Sequence, residues 1–127
     1  MNTIKISFLA LAIALMSFAS VSSIFWKSES IDVGEIQQGK PKAIVFDFKN
    51  TGKTDVIITN VQVSCGCTAA DYTKKAIKAG KSGFITVTYN AANVGAFTKT
   101  ATVTTNADAS PKVLTLKGTV KAIVPQS

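Results

Sequence analysis

The sequence contains no histidine and no arginine, and its two methionines, Met1 and Met16, both stand near the start. Without imidazole the commonest general base is missing. So are the Ser-His and Cys-His nucleophile pairs and the ligand sets that usually hold Zn or Cu. Seven acidic residues remain, but Asp47, Asp55 and Asp71 show no spacing that suggests the paired carboxylates of a hydrolase. The residues point away from an enzyme, and no cofactor-binding pattern is present. The lack of arginine also removes the forks that read guanine and phosphate. No aromatic residues interleave with basic ones to stack bases, so nucleic acid is not an expected partner. The 14 basic residues are all lysine and are scattered along the chain. They read as solvated strand faces and turns, or as an attraction for an anionic envelope polymer.

The start of the chain has the order of a secretory signal: a short polar stretch with Lys5, an apolar run over residues 6–18, then small residues Ala19, Ser20, Ser22 and Ser23. The run of about 13 residues is short for a bilayer core of about 30 Å, so a cleaved signal is expected rather than a retained anchor. Residues 1–19 form the expected signal peptide, with cuts as late as residue 23 as rivals. No cysteine stands near the exit, which argues against a lipid-anchored precursor. Cleavage after Ala19 leaves about 108 residues, one ordinary domain, with no membrane span. Its 13 lysines and 7 acidic residues give a net charge of +6. Residues 20–29 then form a short lead-in, 30–124 the domain and 125–127 a tail.

Short runs rich in β-branched residues alternate between apolar and polar, with turn chemistry between them. Residues 30–36 read as an edge strand. Residues 42–50 alternate, with Ile44, Phe46 and Phe48 on one face and Val45, Asp47 and Lys49 on the other. Residues 50–55 form a turn in which Asn50 and Gly52 are able to take positive φ. Residues 56–63 form the next strand. After an irregular stretch and a turn at 79–83, residues 84–90 place Ile85, Val87 and Tyr89 inward. Residues 97–105 and 112–124 complete the set, the last bent at Gly118. About seven strands at this spacing, with no helix of usable length, predict a Greek-key β-sandwich. Phe25 and Trp26 are unusually apolar for a lead-in. They either pad the sandwich edge or form an exposed aromatic pair that anchors a partner.

Cys65 and Cys67 are the only cysteines. In an extended strand their Cα atoms would lie about 6.5–7 Å apart, longer than a disulfide prefers. Gly66 could bring the sulfurs together through backbone angles closed to other residues. Four readings stand side by side. The pair is packed as small apolar residues, or is an exchangeable disulfide with a redox or covalent-capture role. Alternatively it is a soft-metal site, with Cu(I) suited to two thiolates but a third ligand missing. The fourth is a set of disulfides between chains of an assembly.

A wider pattern surrounds this pair. Phe46-Asp47-Phe48-Lys49-Asn50-Thr51-Gly52-Lys53 leads through Ile57-Ile58-Thr59-Asn60-Val61 to Ser64-Cys65-Gly66-Cys67-Thr68. Then follow Ala79-Gly80-Lys81-Ser82-Gly83, Ile85-Thr86-Val87-Thr88-Tyr89-Asn90, Gly95-Ala96-Phe97-Thr98-Lys99 and Leu114-Thr115-Leu116-Lys117-Gly118-Thr119-Val120. The chain resembles an uncharacterised secreted bacterial family, a domain of unknown function. Its signature is SCGCT followed by a Pro-Gly turn and a V-x-Y-[ND] strand. This family sits in the immunoglobulin-like group of major sperm protein, PapD-type chaperones and Hydin-type (ASH) domains. The resemblance implies a single immunoglobulin-like antiparallel sandwich in the periplasm or extracellular space of Gram-negative bacteria, with no assigned activity. Ala76-Ile77-Lys78-Ala79-Gly80 departs from it, standing where the family often has prolines, and a looser loop is expected there.

Two functions follow as expectations. The first is a non-catalytic exported structural or interaction module. It would engage a protein or an envelope polymer, or assemble with itself, through sandwich edges at residues 31–36 and 112–124. The alternative is a thiol-redox or Cu(I)-handling protein using Cys65 and Cys67.

Overall fold

The computed structural model describes residues 23–108 and 110–123. The expected signal peptide, residue 124 and the 125–127 tail lie outside the described residues. Within them the chain is all-β. The strands are β1 (Ile24–Trp26), β2 (Ser30–Gln37), β3 (Lys42–Asn50), β4 (Ile58–Val63), β5 (Thr68–Tyr72), β6 (Ser82–Tyr89), β7 (Gly95–Thr105) and β8 (Lys112–Lys121). They form two four-stranded sheets, β1-β3-β6-β5 and β2-β8-β7-β4. Every pairing is antiparallel except β2 with β8.

The period-two pattern sets which face is buried. Ile44, Phe46 and Phe48 of β3 meet Ile85, Val87 and Tyr89 of β6 on the inner face of the first sheet. Phe97, Ala101 and Val103 of β7 and Leu114, Leu116 and Val120 of β8 supply the second. The sheets lock where the rings of Tyr89 and Phe97 stack at 4.4 Å between centroids. Each large apolar side chain buried here contributes about 1.5–3 kcal/mol.

The eighth strand is β1, inside the stretch expected as a lead-in. Ile24-Phe25-Trp26 pairs with Asn50-Lys49-Phe48. Strand alternation turns Ile24 and Trp26 into the core and Phe25 out to solvent at 64% exposure. Trp26 therefore belongs to the core, packed on Phe48 at 4.9 Å, and is not half of an exposed aromatic pair. The irregular stretch after Cys67 also holds a strand, β5, whose Thr-Ala-Ala-Asp-Tyr sequence has too little apolar contrast to announce itself.

Three glycine and turn readings change. Neither Asn50 nor Gly52 takes a positive φ. Asn50 works through its side chain: fully buried, it donates from Nδ2 to the carbonyls of Thr54 and Ile77, each at 2.8 Å, and accepts from Gly52 N–H at 3.0 Å. Gly52 is needed for space, since a Cβ there would stand 2.8 Å from Cβ of Ser23. Gly118 is not itself bulged. The bulge lies opposite it in β2, between Asp32 and Glu35, and a Cβ at Gly118 would meet Val33, the carbonyl of Gly34 and the Phe97 ring at 2.7–2.9 Å. The loop expected to be loose for want of prolines is held by other means. Ile77 is buried, bridges to Val56 by backbone bonds of 2.8 and 2.9 Å, and receives the Asn50 amide.

Candidate functional site

The SCGCT segment joins the two sheets. β4 is the edge of one sheet and β5 the edge of the other, so residues 64–67 turn the corner on one flank of the sandwich. Each residue of the signature has a local task. Ser64 extends the β4–β7 ladder: its N–H donates to the Thr100 carbonyl at 3.0 Å and its hydroxyl accepts from Thr100 N–H at 3.0 Å. The Cys65 carbonyl accepts from Thr68 N–H at 3.2 Å, closing a four-residue turn. The Cys67 carbonyl accepts from Asn90 N–H at 3.0 Å and starts the β5–β6 ladder.

Cys65 and Cys67 are bonded to each other, with Cα atoms 5.3 Å apart. The turn, not an unusual glycine conformation, brings them within bridging range. Gly66 does not adopt a positive φ, and a Cβ there would meet nothing within 4 Å. Both half-cystines are half-buried, Gly66 is exposed, and Cys67 packs against the core cluster. Thr68 is the buried member at 5% exposure. Its Oγ1 lies 3.5 Å from Sγ of Cys65 and 3.9 Å from Sγ of Cys67. Disulfide sulfurs carry no proton, so the hydroxyl is the donor. While the bond stands, neither cysteine offers a thiolate to Cu(I) or to a second chain. Among the described residues no group of three or more His, Cys, Asp or Glu side chains is placed to hold a metal ion.

The same flank carries two sheet edges, β4 and β5. In β4 the ladder bonds of Ser64 with Thr100 and the register Gln62–Thr102 point the backbone groups of Val61 and Val63 away from β7. The sequence from Ile58 to Val63 holds no charge and no proline. β5 is guarded: the N–H of Tyr72 is taken by the Asp71 carboxylate at 2.9 Å. The Lys74 ammonium sits 3.3 Å from the Tyr72 ring centroid and 4.0 Å from Asp71. On the opposite flank β2, the edge expected from residues 31–36, is broken by its bulge and lined by Asp32 and Glu35. The other edge expected, residues 112–124, is not an edge. β8 ends at Lys121 and is paired on both sides, with β2 and β7, because β2 crosses over to cover it. Phe25, the exposed member of the Phe25–Trp26 pair, borders a shallow recess of about 240 Å³ with Lys27, Asp47, Phe48, Lys49 and Ser82. Thr100 carried no signal in the sequence and Asn90 only its place in the V-x-Y-[ND] pattern, since each fixes the corner through its backbone.

Two sheets ordered β1-β3-β6-β5 and β2-β8-β7-β4, with the first strand split between them, define an immunoglobulin-like sandwich. The chain belongs to the family described as "Protein of unknown function (DUF1573)", whose model matches residues 24–120. That match opens on the first residue of β1. No curated protein matches the chain. Among solved structures it is similar to a protein of unknown function from Porphyromonas gingivalis W83, at 15% identity and TM-score 0.66, over 81% of this chain and 51% of that one. It is similar to the secreted serine protease VesC from Vibrio cholerae at 15% identity and TM-score 0.62, over 84% of this chain and 25% of that one. The ASH/PapD-like domain 7 of human CEP192 matches at 10% identity and TM-score 0.62, over 83% of this chain and 88% of the domain. The chain thus spans about half of the first of these proteins and a quarter of the second. At such identities the likeness shows the fold, and the PapD-like domain is matched nearly whole.

Proposed function

We propose that this chain is an exported, non-catalytic interaction module of the bacterial envelope or extracellular space, which takes a partner strand along β4. The observation that carries this reading is the uncovered edge at Val61 and Val63. Natural sheets blunt their edges with charges, prolines, bulges or cover, and β1, β2 and β5 each use such a device or are very short. β4 has an irregularity only near its start, between Ile58 and Asn60. A strand laid beside Val61 and Val63 would satisfy their backbone groups, the mode known as strand addition. PapD-like kinship of the fold is compatible with this mode without assigning it. Export rests on the signal-like order of residues 1–23. A cut anywhere from residue 19 to 23 spares Ile24 and Trp26, which the core needs. The lack of His and Arg supports a non-catalytic role and a protein or an envelope polymer, not nucleic acid, as the partner.

Val61→Pro tests the edge. The Val61 N–H points away from β7, so proline there removes no ladder bond while blocking an incoming strand. The full chain should retain a defined envelope partner, or associate with itself in sedimentation as concentration rises, and Val61→Pro should lose this. Retention by the variant overturns the β4 edge. A wild-type chain with neither partner nor self-association overturns the interaction reading. N-terminal sequencing of the chain recovered from outside the cytoplasm should begin between Ser20 and Ile24.

A further inference from the structure

We propose that the Cys65–Cys67 disulfide is a thiol-exchange site that takes two electrons from an external dithiol, with the Thr68 hydroxyl stabilising the sulfur that leaves. This goes beyond strand addition and does not depend on it.

Three observations converge on that corner. First, the bond does little for the architecture. It spans two positions in sequence, and the entropic stabilisation from a cross-link grows with the loop it closes. The corner is already tied at both ends, by the Ser64–Thr100 pair and by Asn90 N–H on the Cys67 carbonyl. Second, the approach is open. Gly66 is exposed and the space a side chain would fill is empty. Third, a buried hydroxyl is aimed at the two sulfurs. An O–H donated to a neutral disulfide sulfur is a weak bond. The same O–H donated to a thiolate is charge-assisted and markedly stronger. Thr68 therefore favours the state in which a sulfur carries charge.

The direction of attack follows from packing. Cys67 lies against the core cluster, whereas Cys65 is outside it, so an incoming thiolate meets Sγ of Cys65. A new S–S bond forms between the dithiol and Cys65, the Cys65–Cys67 bond breaks, and Cys67 leaves as a thiolate within reach of the Thr68 hydroxyl. The second thiolate of the dithiol then attacks its own bridged sulfur. Cys65 is released as a thiolate, the dithiol departs as a disulfide, and the two protons it gave up return to the cysteines. Two electrons have passed to the chain. In reverse, the reduced pair returns them to a disulfide.

The test uses the full oxidised chain, dithiothreitol as the dithiol, acid quenching, alkylation and intact mass. Trp26, the single tryptophan and part of the core, reports folding by its fluorescence in the same samples. The disulfide should be reduced without denaturant while Trp26 emission stays native. Thr68→Val keeps the volume and removes the hydroxyl. It should slow reduction by roughly tenfold, the loss of one hydrogen bond to a charged group, and Thr68→Ser should restore most of the rate. Gly66→Val fills the open approach and should slow reduction in a chain whose turn needs no glycine. Should Thr68→Val fail to fold, the Gly66→Val comparison decides alone. Reduction that occurs only where Trp26 emission reports unfolding overturns the site. Equal rates in wild type and a folded Thr68→Val overturn the role of Thr68.

Discussion

Asn50→Ala should be among the most damaging polar substitutions in this protein. Asn50 is fully buried, and its amide makes three hydrogen bonds, to the Thr54 carbonyl, the Ile77 carbonyl and Gly52 N–H. Together they tie the 50–55 turn to the loop that carries Ile77. A typical internal hydrogen bond contributes about 1 kcal/mol net, and an orphaned buried partner costs more. Two features lessen the loss. The Ile77 carbonyl keeps its bond from Val56 N–H at 2.9 Å, and Thr54 is exposed, so its carbonyl can turn to water. The sum is about 2–3 kcal/mol. For a domain of this size that lowers the melting temperature by roughly 10–20 °C. Urea unfolding followed by Trp26 fluorescence measures it directly, and the slope against urea should be unchanged because the surface exposed on unfolding is the same. Asn50→Asp, nearly the same volume, can no longer donate to either carbonyl when ionised and should cost at least as much. A loss below about 1 kcal/mol for Asn50→Ala would refute the view that this amide organises both loops.

Three other outcomes follow from the packing. Gly118→Ala presses a methyl onto Val33, Phe97 and the backbone of the β2 bulge and should cost about 1–3 kcal/mol, while Gly66→Ala should stay within about 0.5 kcal/mol; urea titration of both separates steric need from sequence habit. A chain begun at Ser30 loses Ile24 and Trp26 from the core and should be weaker by about 4 kcal/mol or more, read by circular dichroism since its tryptophan is gone. Replacing both Cys65 and Cys67 with Ser should cost only about 1–2 kcal/mol, measured against the oxidised chain; a loss beyond about 4 kcal/mol would mean that the bond holds the two sheets together.

The sequence by itself determined the class of fold, because burial on one face of a strand is a local, period-two property. Ile44, Phe46 and Phe48, and likewise Ile85, Val87 and Tyr89, are legible as core from spacing alone. The SCGCT corner was legible as a place of interest because cysteine is rare and costly to keep. Which strands pair was not legible. Pairing is set between segments far apart in sequence, and neither β1, three residues long, nor β5, built of small residues, carries enough local contrast to be seen. The same non-local pairing made β8 an interior strand, since β2 crosses sheets to cover it, and left β4 as the open edge. It also decided what the individual residues do. Gly118 is required by a bulge in another strand, Asn50 by two loops that meet only on folding, and Thr68 by the two sulfurs that its turn brings under its hydroxyl. The demands on Gly118 and Asn50 cannot be read from a residue and its chain neighbours, because each is made by atoms that arrive from elsewhere in the chain; that on Thr68 is local and is met only once the 65–68 turn closes.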